Sequence, residues 1–167
     1  ERLPKGRLHI MGGVDDEEYG AECHALVETL GVRDLIFTGR VNVVEYMEKL
    51  DFTILTSISE GQPLSVLESL AARRPCVTTE VGCCRELLEG APGDDFGVAG
   101  FVTPPMYRKG LADAMERMCV SRARRIEMGE RGQRRVATYF LHEQMLANYR
   151  ALYDETAQAF DLPREGE

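Results

Sequence analysis

Residues 52–79 read FTILTSISEGQPLSVLESLAARRPCVTT. This stretch holds a complete strand–loop–helix–strand unit. Phe52 to Thr56 is a short apolar and β-branched run, as a strand requires. Thr56 to Pro63 is a polar loop containing Gly61. Pro63 opens a helix that runs to Ala72; proline suits the first turn, because the N–H it lacks would have no partner there. Cys76 to Thr78 is the next strand.

The same alternation extends in both directions. Upstream, strands are predicted at Leu8–Met11 and Leu35–Phe37, with helices at Asp15–Leu30 and Val43–Leu50. Asp15 and its neighbours place acids in the first helical turn, and Gly31 and Gly39 supply stops. Downstream come a helix at Cys84–Glu89, a strand at Gly100–Thr103, and helices near Tyr107–Cys119, Ser121–Ala137 and Glu143–Ala159. Short apolar strands alternating with helices indicate an α/β fold with a parallel sheet. The strands do not alternate polar and apolar residues, which fits helices on both faces. Ala91–Phe96 is predicted to be the most mobile loop. The polar tail, 161–167, is predicted to fray.

The chain has 167 residues, enough for one domain spanning 1–160 with a core that needs no disulfide or metal staples. Its formal charge of −8 argues against non-specific nucleic-acid binding, which depends on neutralising phosphates. No apolar run approaches the roughly 18 residues of a membrane span. There is no basic-then-apolar leader at the start. The five cysteines include the adjacent pair Cys83–Cys84, which fits no zinc spacing. Together these features predict a cytoplasmic protein. From Tyr107 to Phe140, nine Lys and Arg residues stand against four acids. Such a run reads first as a solvated helix face and otherwise as a contact surface for an acidic partner.

In an open parallel sheet, ligands bind at the C-terminal ends of the strands. The loop after Phe52–Thr56 is the most informative of these. Glu60 stands just before a helix, and Gly61 allows close backbone approach. The free N–H groups at the helix start can receive a phosphate or sugar oxygen. Glu68 lies five residues beyond Pro63, about 7–8 Å along the helix at 1.5 Å per residue. Two carboxylates beside an anion-friendly helix end suit a nucleotide-sugar, with Glu60 accepting from the sugar and Glu68 from the ribose. On spacing alone, the plainer alternative is that Glu60 caps the helix and Glu68 is a solvated helix residue.

Ser57-Ile58-Ser59-Glu60-Gly61-Gln62-Pro63-Leu64, followed by Leu67-Glu68, resembles the motif of family 4 glycosyltransferases, in which two glutamates flank seven residues. Phe37-Thr38-Gly39, Pro75-Cys76-Val77, Val81-Gly82 and Arg85-Glu86-Leu87-Leu88 agree with it. The similarity runs from about Lys5 to Tyr153. Within the family, the wording is most similar to the PelF group of Pel exopolysaccharide synthesis.

The resemblance implies a GT-B fold, in which two Rossmann-like domains face each other across a cleft, with this chain as the C-terminal donor-binding half. It implies retaining transfer of a hexose from a nucleotide-sugar, UDP-glucose or a related UDP-sugar, to a glycan acceptor held by an N-terminal domain. No cofactor or metal is expected, and membership of an exopolysaccharide synthase complex is a possible setting. By this resemblance Glu60 is the catalytic contact to the donor sugar. Gly61, Gln62, Pro63 and Leu64 line the donor, with N–H groups offered by all but Pro63. Glu68 holds the ribose, and Arg40 and Val41 lie against the base. The family's domain also opens with one further strand and helix, bearing an Arg and a Lys for the diphosphate. The expectation is therefore that the chain starts late and is inactive alone. One departure stands out. Where the family has Ala-Gly-X-Pro, this chain has Ala72-Arg73-Arg74-Pro75. A glycine there ends the helix in the left-handed conformation, and arginine in the same geometry costs on the order of 1 kcal/mol.

Two alternatives share the site: a non-catalytic nucleotide-sugar-binding module, and a sugar-nucleotide epimerase, for which the required histidine is not found. Gly12-Gly13 is followed by acids from Asp15 to Glu18, which would repel a pyrophosphate. Asp51 precedes its strand, which disfavours a phospho-receiver. His9 reads as a strand packing residue, and His24 and His142 as helix-surface residues. Cys23, Cys76 and Cys119 read as small apolar fillers. Cys83 or Cys84 is a candidate reactive thiol at a helix start. Leu111, Met115 and Met118 read as core.

Overall fold

A computed structural model describes residues 6–160. The tail at 161–167 lies outside the described residues. The chain divides into two compact units, Glu1–Leu50 and Asp51–Glu167.

The first unit is a βαβ element with one more helix. Strand β1 (Leu8–Met11) leads to α1 (Glu17–Thr29), then to β2 (Leu35–Gly39) and α2 (Val43–Met47). The strands pair in parallel, with Leu8 opposite Leu35. Asp16 caps α1 by accepting from the Tyr19 N–H, and Asn42 caps α2 by accepting from the Val44 N–H. Both strands were expected to be covered on both faces. Leu8, Ile10 and Ile36 are instead exposed, so that expectation fails here.

The second unit holds β3 (Thr53–Leu55), α3 (Leu64–Ala71), β4 (Cys76–Thr79), α4 (Cys84–Glu89), β5 (Gly100–Thr103), α5 (Arg108–Cys119), α6 (Arg122–Tyr139) and α7 (His142–Ala159). Its sheet is parallel in the order β3-β4-β5. Every residue of β4 is buried. Successive strand residues point to opposite faces, and neighbouring β4 residues accordingly enter different clusters. Cys76 joins Val66, Leu70, Leu87, Leu88 and Ala99 on the side of α3 and α4. Val77 joins Phe101, Ala114, Met118 and Met128 on the side of α5. Leu111 and Met115 pack against the second cluster, as expected of core residues. The sheet of this unit is thus covered on both faces, the α/β arrangement read from the sequence. Among the described residues, no helix is long and apolar enough to cross a membrane.

Two sequence expectations need correction. The loop at Ala91–Phe96 is pinned rather than free. Arg135, only 1% exposed, reaches into it from α6 and donates to both carboxylate oxygens of Asp94, at 2.5 and 3.1 Å. The basic run is not simply a solvated face either. Arg135 is buried, Arg125 pairs with Asp51 at 3.1 Å, and the Arg117 guanidinium lies 4.2 Å from the Phe101 ring centre. A local charge count registers none of these distant partners.

Candidate functional site

The β3–α3 loop leaves the sheet at the C-terminal end of β3, where an α/β fold presents its ligand-binding loops. Glu60 is half-buried there. Its carboxylate accepts a 2.7 Å hydrogen bond from the Ser57 hydroxyl. Ser57 is fixed in turn from β4, because the Thr79 hydroxyl donates to the Ser57 carbonyl at 2.5 Å. Thr79 is itself buried, so a rigid strand reaches Glu60 through two hydrogen bonds.

The loop also rests on the turn between β4 and α4. The Cys83 N–H donates to the Gly61 carbonyl at 2.9 Å. Gly82 has φ +50°, and a Cβ on it would stand 2.1 Å from the Gly61 carbonyl oxygen and 2.6 Å from that of Glu60. Only glycine combines that backbone conformation with that approach. Gly82 is a residue whose role the sequence reading missed; Val81-Gly82 was legible there only as part of a resemblance. Around Gly61 itself the space is open, with nothing within 4 Å of where a Cβ would point.

Pro63 takes the N-cap position of α3, and no side chain caps the helix. The uncapped N–H groups and the helix dipole make this end favourable to an anion or a sugar oxygen. Leu64 is exposed at the helix start, and Glu68, one turn further on, is exposed as well. Gly61, Gln62, Leu64 and Glu68 are exposed along this loop and helix start and Glu60 is half-buried beside them, whereas Pro63, expected to line the donor, is buried. Arg40 and Val41 belong to the first unit, directly after β2. Arg40 is solvent-exposed there, 3.6 Å from the Asp15 carboxylate.

Glu60 does not cap α3, since no side chain does. That removes half of the plainer alternative. A half-buried carboxylate with one oxygen occupied by Ser57 can still accept hydroxyl hydrogen bonds on its other lone pairs.

The thiols beneath the loop are not activated. Burial pushes both Cys83 and Cys84 above the ordinary thiol range, and the Glu60 charge adds to this at Cys84. The expectation of a reactive thiol here is corrected: desolvation outweighs the short helix end. Cys119 is exposed, not an apolar filler. Cys76 is buried, with its thiol pushed up to about 11 by desolvation. The His9 ring lies 2.6 Å from the Tyr46 hydroxyl, and His24 packs on Phe37 with ring centres 4.1 Å apart. A groove of about 620 Å³ lies elsewhere, between β5, α5 and α6, around Phe101, Tyr107, Arg117 and Arg124.

The family model for glycosyl transferases group 1 matches residues 1–120, and the chain belongs to that family. It is similar to the N-acetyl-alpha-D-glucosaminyl L-malate synthase of Bacillus anthracis, at 28% identity over 77% of this chain and 32% of that protein. Among solved structures, the sucrose-phosphate synthase of Thermosynechococcus elongatus superposes with a TM-score of 0.82. The identity is 22%, over 95% of this chain and 40% of that one. HepE of Anabaena, solved with UDP-glucose, superposes with a TM-score of 0.74 at 20% identity, over 89% of this chain and 42% of that one. The chain therefore spans about a third of the curated relative's length. Its fold is that of the neighbouring glycosyltransferase structures.

Proposed function

We propose that this group 1 glycosyl transferase chain is the donor-binding part of a retaining, PelF-like enzyme of glycosyltransferase family 4. The donor is a UDP-sugar, with UDP-glucose the first candidate, and the acceptor is a glycan. One observation carries the reading. Glu60 is held half-buried by Ser57 on a loop that enters an uncapped helix, with the exposed Glu68 one turn beyond. The solved neighbour that holds UDP-glucose supports the choice of donor.

In this reading, the first turn of α3 receives a donor oxygen and Glu68 accepts from the ribose. Arg40 and Val41 flank the base. Glu60 accepts from a hydroxyl of the sugar and stabilises positive charge as the bond from the anomeric carbon to phosphate oxygen loosens. The diphosphate leaves with the electron pair. The acceptor oxygen bonds to the same face of the sugar, and its proton passes to the departing phosphate oxygen. Glu60 is not the nucleophile. The protein's main contribution is electrostatic stabilisation of the leaving group, with no resident metal. The acceptor and a place in an exopolysaccharide synthase complex in the cytoplasm belong to the same proposal.

The test is an NMR titration of the isotope-labelled chain with UDP-glucose, with GDP-mannose as control. Amide shifts clustered at 40–41 and 60–68 for the UDP-sugar, lost in Glu68→Ala, are expected. A dispersed, folded spectrum that neither nucleotide-sugar perturbs would overturn the reading.

A further inference from the structure

Glu60 is oriented by hydrogen bonds that start in the sheet. Loop carboxylates at a surface ordinarily sample several rotamers, and a binding constellation gains from a side chain whose orientation is locked by its supporting shell. Here that shell is visible. Thr79, buried on β4, donates to the Ser57 carbonyl and so fixes the backbone of Ser57. With its backbone fixed, Ser57 aims its hydroxyl at one oxygen of Glu60, at 2.7 Å. The hydroxyl has one proton to give, and it gives it to that oxygen. The second oxygen is left to accept from a ligand. On the other side of the same turn the Cys83 N–H donates to the Gly61 carbonyl, and Gly82 leaves room for the close approach. The carboxylate therefore stands on a platform built from two neighbouring strands.

We propose that Ser57 is a positioning residue that sets how Glu60 meets the donor sugar, and thereby separates a nucleotide-sugar from the bare nucleotide. This rests on the functional reading above. The sugar is the part of the donor that Glu60 touches, so losing Ser57 should weaken binding of UDP-glucose and spare UDP. A merely structural role would weaken both alike.

Affinities for UDP-glucose and UDP are measured by NMR titration on the wild-type chain and on Ser57→Ala, Ser57→Thr, Glu60→Ala and the double variant Ser57→Ala/Glu60→Ala. Ser57→Ala is expected to weaken UDP-glucose about 5- to 10-fold, the scale of one ordinary net hydrogen bond, with UDP changed less than 2-fold. Ser57→Thr keeps the hydroxyl and should restore most of the affinity. The double variant should bind no more weakly than Glu60→Ala alone, since Ser57 acts through Glu60. Equal losses for both ligands, unchanged UDP-glucose binding in Ser57→Ala, or additive losses in the double variant would overturn the inference while leaving the functional reading intact. If Glu60→Ala itself leaves the UDP-glucose to UDP ratio unchanged, or the wild type binds neither ligand, the functional reading fails and this inference with it.

Discussion

Helices α3 and α4 are finished differently at their two ends. At the C-terminal end of α3, Arg73 turns left-handed at φ 58°. Its N–H donates to Leu70, and the Arg74 N–H donates to Ser69, at 3.0 and 2.8 Å. These are the two bonds of a Schellman closure. Helix α6 presses on that turn, where a Cβ at Gly129 would stand 2.1 Å from the Arg73 carbonyl oxygen. At the C-terminal end of α4, Arg135 donates to the carbonyls of Leu87 and Leu88. At the N-terminal ends, Pro63 and Cys83 hold the cap positions without a side-chain hydrogen bond. The C-terminal ends are closed by protein; at the start of α4 the Cys84 N–H still finds the Val81 carbonyl, whereas the start of α3 is left for water or a ligand oxygen to satisfy. The closed ends hold this unit together, which lets the open end of α3 carry the site.

The comparison breaks most severely at Asp94. Asp94→Ala leaves the Arg135 guanidinium buried without its counter-charge, which should cost about 3–5 kcal/mol. Urea unfolding should show the midpoint falling accordingly. The pair also has a pH signature. Arg135 holds the Asp94 carboxyl below the ordinary carboxylate range. The native pKa is therefore lower than the unfolded value of roughly 3.9. The resulting stabilisation is fully present above the unfolded value and disappears as pH falls through the native one. Asp94→Asn should be less stable than the wild type at neutral pH, and the gap should narrow in acid.

Beside the open end the critical residue is Gly82. Gly82→Ala drives a methyl group into two backbone carbonyls and strains a positive φ, at a cost of about 3 kcal/mol from the two effects combined. The same substitution at Gly61 meets open space and should leave the thermal midpoint nearly unchanged. Thermal melts of the two variants side by side measure this contrast directly. Parity between them would mean that the two loops are not in register as described.

Much of this arrangement is legible in the sequence. The element order and the Glu60 loop follow from apolar runs, Pro63 and the glycine stops, because those signals are local. Gly82 is not readable in the same way: its necessity comes from a carbonyl on another loop, about twenty residues earlier in the chain. Arg135 is hidden for the same reason. Among nine basic residues it looks like its neighbours, and only its distant partners, Asp94 and the carbonyls of Leu87 and Leu88, distinguish it. The covering of β4, Cys76-Val77-Thr78-Thr79, was legible in the lack of any charged or strongly polar residue on either face. The exposure of Leu8 and Ile10 was not, because an apolar run records what a residue can bury and not whether anything covers it.

Arg73 gives the smallest effect and the one with the opposite sign. The sequence departs from the family's glycine there, and the turn is kept anyway, with arginine carrying the left-handed conformation. The closing bonds are made by backbone and do not need the side chain. What the side chain adds is an exposed 2.8 Å hydrogen bond from its Nε to Gln133 on α6. An exposed bond of that kind contributes less than the left-handed backbone costs a residue bearing a Cβ, about 1–2 kcal/mol. Part of the difference is returned as the greater unfolded-state freedom of glycine. Arg73→Gly should therefore stabilise the chain by about 0.5–1 kcal/mol, an increase of roughly 1–4 °C in melting temperature for a domain of this size. Differential scanning calorimetry would resolve it. A decrease instead would mean that the Arg73–Gln133 contact, and not the backbone turn alone, holds α6 against the end of α3.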